Sequence, residues 1–126
     1  MDSIPPEVLE AVQALTTDTE FVFTGSRAIS PNSVSVGADW DFAILWERQK
    51  PNPLLHGYSI GSSYYAGETL CCYKSVGGHR INLVLCLSKQ EYQVWVQATQ
   101  TAQGKDLTSR RQRLDHFAQT RKEVYG

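Results

Sequence analysis

Residues 40–46, Trp-Asp-Phe-Ala-Ile-Leu-Trp, restrict the fold more than any other stretch of the chain. A near-continuous apolar run of this length reads as a strand buried on both faces, and so as a central strand of a sheet. Two carboxylates, Asp39 and Asp41, stand one residue apart at its head. Strand side chains repeat every two residues, so both acids project to one side and Trp40 between them projects to the other. Neighbouring acids repel unless something cationic lies between them. Oxygen ligands suit a hard ion such as magnesium.

A second apolar run, Phe21-Val22-Phe23, stops at the pair Gly25-Ser26, and twelve residues separate Ser26 from Asp39. A Gly-Ser turn leaving a strand can offer backbone N–H groups and a hydroxyl to a phosphate. If the two strands are neighbours, the phosphate turn and the acids meet at one edge of the sheet. A phosphate cradle beside metal-binding carboxylates is the chemistry of nucleotidyl transfer. The plainer reading is an ordinary turn and a pair of exposed strand acids.

The other elements follow from periodicity and punctuation. Residues 5–15 predict a helix, with Pro5 and Pro6 in its first turn and Val8, Ala11, Val12 and Leu15 on one face. Residues 20–23 predict the first strand. The Gly25-Ser26 turn opens a short helix that Pro31 cuts off, and residues 31–37 form a loop. Residues 47–67 are broken by Pro51, Pro53, Gly57, Gly61 and Gly67, and predict at most one helical turn at Leu54-Leu55-His56. Strands at 69–75 and 80–87 join through Gly77-Gly78 as a hairpin. Ser88 and Glu91 have capping-box spacing and start a helix with Tyr92, Trp95, Val96, Thr99 and Ala102 on its apolar face. Ser109 and Gln112 repeat that spacing before a final helix lined by Leu114, Phe117, Ala118 and Val124. The expected fold is a single α+β domain over 1–126: a mixed sheet of about four strands, helices packed on it, and two C-terminal helices.

Composition narrows the function. With 41% apolar and 20% charged residues the chain is expected to be soluble and globular. No apolar run approaches the roughly 20 residues that span a bilayer, so no membrane partner is expected. The N-terminus lacks the basic and apolar segments of a signal peptide. Three cysteines, two of them adjacent at Cys71-Cys72, make a poor disulfide framework and point to a reducing, cytoplasmic setting. Cys71, Cys72, Cys86, His79 and His116 lack zinc-ligand spacing. Charge is uneven: residues 1–47 hold eight acids and one base, Arg27, whereas residues 105–126 hold six bases and three acids. The basic tail either docks against the acidic front, the simpler reading, or brings cations to an anionic substrate.

The segments Thr-Gly-Ser-Arg-Ala at 24–28 and Ala-Asp-Trp-Asp-Phe-Ala-Ile-Leu-Trp-Glu at 38–47 together resemble the DNA polymerase β-type nucleotidyltransferase superfamily. Its signature is a Gly-Ser, a dozen or so residues, and an Asp-x-Asp among apolar residues. The remainder resembles short nucleotidyltransferase-like proteins of tailed phages, through Asn82-Leu83-Val84, Tyr92, Trp95, Ala98-Thr99 and the basic residues 110–126. The resemblance implies that Gly25 and Ser26 bind the β- and γ-phosphates of a nucleoside triphosphate, with Arg27 as a nearby phosphate cation. It implies that Asp39 and Asp41 are catalytic and hold two magnesium ions, with manganese as an alternative. A nucleoside monophosphate would pass to the hydroxyl of an unidentified acceptor (small molecule, RNA or protein) as pyrophosphate leaves.

One position departs from that pattern. The superfamily usually carries a third carboxylate on a later strand, where this chain has Asn82. An amide oxygen is a weak neutral ligand for magnesium and cannot act as a base. Glu68 is the alternative donor. The departure keeps open a second function: a catalytically degenerate effector that binds a host or partner protein, in the host cytoplasm if the chain is phage-encoded. Tyr58, Tyr64 and Tyr65 either stack on a base or cover the sheet.

Overall fold

The computed structural model describes residues 4–31, 34, 37–61 and 69–126. Helix α1 (Pro6–Leu15) leads into strand β1 (Phe21–Thr24), the short helix α2 (Gly25–Ile29) and strand β2 (Trp40–Leu45). Two 3-10 turns, Glu47–Gln49 and Pro53–His56, precede β3 (Ser59–Ile60), the hairpin strands β4 (Thr69–Val76) and β5 (His79–Cys86), and helices α3 (Lys89–Ala102) and α4 (Arg110–Tyr125). The described residues form an α+β domain, with a mixed sheet of five strands and two helices at the C-terminal end.

The sheet order is β1-β2-β5-β4-β3. The pair β2–β5 is parallel and the other three pairs are antiparallel. Strand β2 is interior, as its apolar run requires. The strand beyond the expected four is β3, whose two residues pair with Tyr73 and Cys72. Two residues are too few to leave a periodic signal in sequence.

Alternation along the inner strands builds two separate cores. Trp40, Phe42 and Ile44 of β2 join Ile81, Leu83 and Leu85 of β5 under Val8, Val12 and Leu15 of α1. On the other face, Ala43, Val84 and Cys86 pack under Trp95, Ala98 and Ala102 of α3, with Phe117 of α4 and Ile29 of α2. Tyr58 is buried in the α1-side core, so it covers the sheet. Tyr64, Tyr65 and Glu68 lie outside the described residues. All three cysteines are buried and unbridged. No helix among the described residues is long and apolar enough to cross a membrane.

The C-terminal helices differ from expectation in detail. Val94 and Ala98 are buried on α3, whereas Val96 is half-buried. On α4, Thr120 is buried and Ala118 exposed. Ser88 caps α3 by accepting from the Glu91 N–H, but the Glu91 side chain does not return to the cap. It is only 2% exposed, ion-paired with Arg121 of α4 and accepting from the Tyr125 hydroxyl at 2.8 Å. The Ser109–Gln112 capping box of α4 is complete, with both reciprocal bonds made.

Two ties place α2 against the α3–α4 connection. Gln103 Nε2 donates to the Ala28 carbonyl at 3.2 Å, and the Ser30 hydroxyl donates to the Leu107 carbonyl. At the end of β1, the buried Thr24 hydroxyl shares a 2.7 Å hydrogen bond with that of Thr99 on α3. These contacts fix the start of α4 relative to the Gly25-Ser26 turn.

Candidate active site

Register brings the motif residues together. Asp41 of β2 lies opposite Thr24, the last residue of β1, and beside Asn82 of β5. All three therefore sit on the α3 side of the sheet, at the end where β1 turns into α2. Asn82 Nδ2 donates to Asp41 Oδ1 at 3.2 Å. The other carboxylate oxygen fits beneath the turn. A Cβ built on Gly25 would lie 2.1 Å from Asp41 Oδ2, and Gly25 has φ +79°. Only glycine accommodates both the left-handed backbone and so close an approach.

Asp39 precedes β2 and is partly exposed. Its Oδ2 lies 3.7 Å from Arg80 Nε, and the Arg80 guanidinium stacks 4.4 Å from the centre of the Tyr73 ring. Tyr73 is the β4 partner of Asn82. Carboxylate, guanidinium and aromatic ring thus form a layered stack beside the acid pair.

A cleft of about 180 Å³ gathers the two acids, Asn82 and the Gly25-Ser26 turn. The β1–α2 turn contributes Thr24, Gly25 and Ser26; β2 and its approach contribute Asp39 and Asp41; β5 contributes Asn82 and Val84. Trp95 of α3 and Arg110, Arg113 and Leu114 of α4 close the other side. Of the residues singled out by sequence, Gly25, Ser26, Asp39, Asp41 and Asn82 line this cleft. Arg27 does not. Its Nε donates to the Ala38 carbonyl at 3.0 Å, and its guanidinium lies 4.2 Å over the Trp40 ring. In that position it braces the approach to Asp39.

Burial pushes the Asp41 carboxyl up to about 6, and the nearby negative charge of Asp39 acts in the same direction. The Asn82 hydrogen bond and the positive charges of Arg113 and Arg27 oppose the rise. Of the two cleft acids, the more enclosed one is therefore the one that more needs a positive partner when ionised.

Arg80, Tyr73, Arg110 and Arg113 are the site residues that sequence reading missed. The excess of bases over residues 105–126 was the available signal for the last two. It could not show that the first turn of α4 points at the acids. Among the described residues, no group of three or more His, Cys, Asp or Glu side chains is placed to hold a metal ion.

The chain matches no family model, no curated protein and no solved structure. Its chemistry has to be read from the site itself.

Proposed function

We propose that the chain is a metal-dependent nucleotidyltransferase, transferring a nucleoside monophosphate from a triphosphate to an acceptor hydroxyl. The observation that carries this reading is the convergence of the Gly25-Ser26 turn with Asp39, Asp41 and Asn82 in one cleft. The sheet pairing and the resemblance of residues 21–47 to the polymerase β-type superfamily support the same assignment.

The donor set fits magnesium or manganese, since it consists of oxygen atoms from two carboxylates and, if the amide turns over, from Asn82. Asp39 and Asp41 would hold the ions; the tight Gly25–Asp41 approach fixes one carboxylate for that role. Bound magnesium supplies neutralisation of the charge that builds on the transferring phosphate. Ser26 lines the cleft, and in this reading its hydroxyl donates to a phosphate oxygen. The acceptor oxygen bonds to the α-phosphorus, the α–β anhydride bond breaks, and pyrophosphate leaves. Asn82 cannot take the acceptor proton, which in this reading passes to water.

A specific observation favours the second reading, a non-catalytic effector that binds a host or partner protein. Both acids already have internal partners, Asn82 for Asp41 and Arg80 for Asp39. Leu55 and Ile60, 82% and 66% exposed, offer apolar surface well away from those acids in sequence.

Labelled triphosphates, magnesium or manganese and a cell extract test the first reading. A labelled product should form, and Asp39→Ala and Asp41→Ala should each abolish it. Labelling equal to wild type in both variants would sink the assignment. The effector reading expects a specific captured protein whose binding survives the same two substitutions.

A further inference from the structure

We infer that Arg80, laid over Tyr73 beside the cleft, is a stacking platform for a nucleobase, and that the molecule accepting the nucleotidyl group is itself a nucleotide. The acceptor role rests on the function proposed above; the platform does not. The chemistry recognised is an unpaired base with a phosphate next to it, at the end of a single strand or in a free nucleotide.

Register sets the direction of approach. Thr24, Asp41, Asn82 and Tyr73 form one row across β1, β2, β5 and β4. Residues directly opposite in paired strands share a face, so Tyr73 stands on the same side of the sheet as the acids. It lies two strand spacings, about 10 Å, from Asp41. Arg80 comes two residues before Asn82 and shares that face. In an in-line displacement the attacking oxygen enters opposite the leaving group. Pyrophosphate would leave toward the Gly25-Ser26 turn, at the β1 end of the row. The acceptor hydroxyl then arrives from the β5–β4 side, where Arg80 and Tyr73 stand.

The pair is built as a flat surface. The Arg80 guanidinium lies 4.4 Å from the centre of the Tyr73 ring, while its side chain stays 52% exposed. One face of the guanidinium is thus set against the ring and the other is turned to solvent. Tyr73 is held from the β3 side: Ser59 pairs with it, and a Cβ on Gly61 would lie only 3.3 Å from the ring. The Gly61 N–H donates to the Cys71 carbonyl at 2.7 Å, which fixes that approach. Stability does not account for the arrangement. Arg80 Nε is 3.7 Å from Asp39 Oδ2, beyond hydrogen-bond distance, and water screens a pair this exposed.

Shape and charge select the ligand. Guanidinium planes and aromatic rings stack on any base, and the guanidinium edge pairs with phosphate oxygens. A cationic acceptor such as an amino sugar would meet like charge at Arg80.

The test begins with binding. A short 5′-fluorescein-labelled single-stranded oligoadenylate, titrated with the full chain in EDTA and followed by anisotropy, should bind. Arg80→Ala and Tyr73→Ala should each lower affinity about tenfold, as expected for loss of one base stack. Arg80→Lys keeps the charge but not the plane and should lose about fivefold. Tyr73→Phe keeps the ring and should stay within about twofold of wild type. Melting curves verify that each variant folds. No binding by the wild type would overturn the inference, as would full affinity in Arg80→Ala or in Arg80→Lys. Turnover is the second arm. With magnesium and labelled ATP, label should pass to the oligonucleotide or to AMP, and the product formed tells a strand end from a free nucleotide. Arg80→Lys should raise KM for that acceptor about fivefold and leave KM for ATP within about twofold. Label on a product of a cell extract but on neither nucleotide acceptor would overturn the inference and leave the transferase reading intact. Binding that depends on Arg80 and Tyr73, with no labelled product of any kind, would support the platform and remove the transferase reading.

Discussion

The Asp41 carboxylate occupies the space that a side chain at Gly25 would need, with Oδ2 just 2.1 Å from where a Cβ would stand. The Gly25-Ser26 turn and the Asp41 carboxylate are one packing unit, so neither can be altered alone. Gly25→Ala should therefore displace Asp41 as well as strain a backbone at φ +79°. We expect a stability loss of at least about 2 kcal/mol, above the cost of strained φ alone, and loss of product labelling. Gly78→Ala is the control, since its φ is +81° but nothing lies within 4 Å of the new Cβ. It should lower the melting temperature less and leave labelling near wild type. Equal effects at the two positions would separate Gly25 from the site.

Asp41 makes metal-free stability depend on pH in a fixed direction. Its folded carboxyl titrates at about 6 against 3.8 when unfolded, so the folded state binds the proton more tightly. The favourable contribution is complete below about pH 4 and is lost as pH rises through 6. The full change is about 3 kcal/mol, roughly half of it between pH 5 and 8. Urea midpoints in EDTA, compared between wild type and Asp41→Asn, isolate this effect from other carboxylates. The wild type should lose ground to the variant as pH rises; a constant difference would contradict the buried position of Asp41.

Asn82→Asp should act in opposite ways with and without metal. Without metal it removes the 3.2 Å donation to Asp41 and sets two carboxylates side by side. A cost of about 1–3 kcal/mol is expected. Magnesium should bind more tightly to this variant than to wild type and restore its melting temperature. Unchanged metal affinity, measured by calorimetry, would show that position 82 is not a ligand position.

Arg121→Ala should destabilise the fold by about 3 kcal/mol, because the buried Glu91 carboxylate would lose its cationic partner and keep the Tyr125 hydroxyl. Replacing Glu91 and Arg121 together with methionine should recover most of that loss. Thermal melts of the single and double variants give the comparison. A single variant as stable as wild type would mean that Glu91 is not held by the ion pair.

Much of this was legible along the chain because the signals were local. The apolar run at 40–46 identified the interior strand, Gly77-Gly78 marked the hairpin, and the periodicities of 5–15 and 88–102 marked two helices. The Gly25-Ser26 and Asp39-x-Asp41 motifs were visible for the same reason. What escaped depended on contacts between distant segments. Glu91 read as a capping residue because its spacing from Ser88 was right, whereas its partners Arg121 and Tyr125 lie on another helix. Arg27, which the resemblance implies as a nearby phosphate cation, lies over the Trp40 ring, a contact its place after Ser26 does not show. Arg110 and Arg113 were indistinguishable from Arg111 until α4 was packed, since the face that meets the cleft is chosen by Phe117 and Thr120 on the helix interior.

The parallel pairing of β2 with β5 carries a kinetic implication. Asp41 and Asn82 touch across 41 positions of sequence, and closing a loop of that length costs on the order of 3 kcal/mol before any contact compensates. The segment holding both recognisable motifs, residues 25–41, therefore has no means of making the site by itself. Under the proposed function, nucleotide affinity is a gauge of the completed sheet. A folding experiment followed by nucleotide binding should register signal only in the last, slowest phase, after the hairpin and the helices have already gained their circular dichroism.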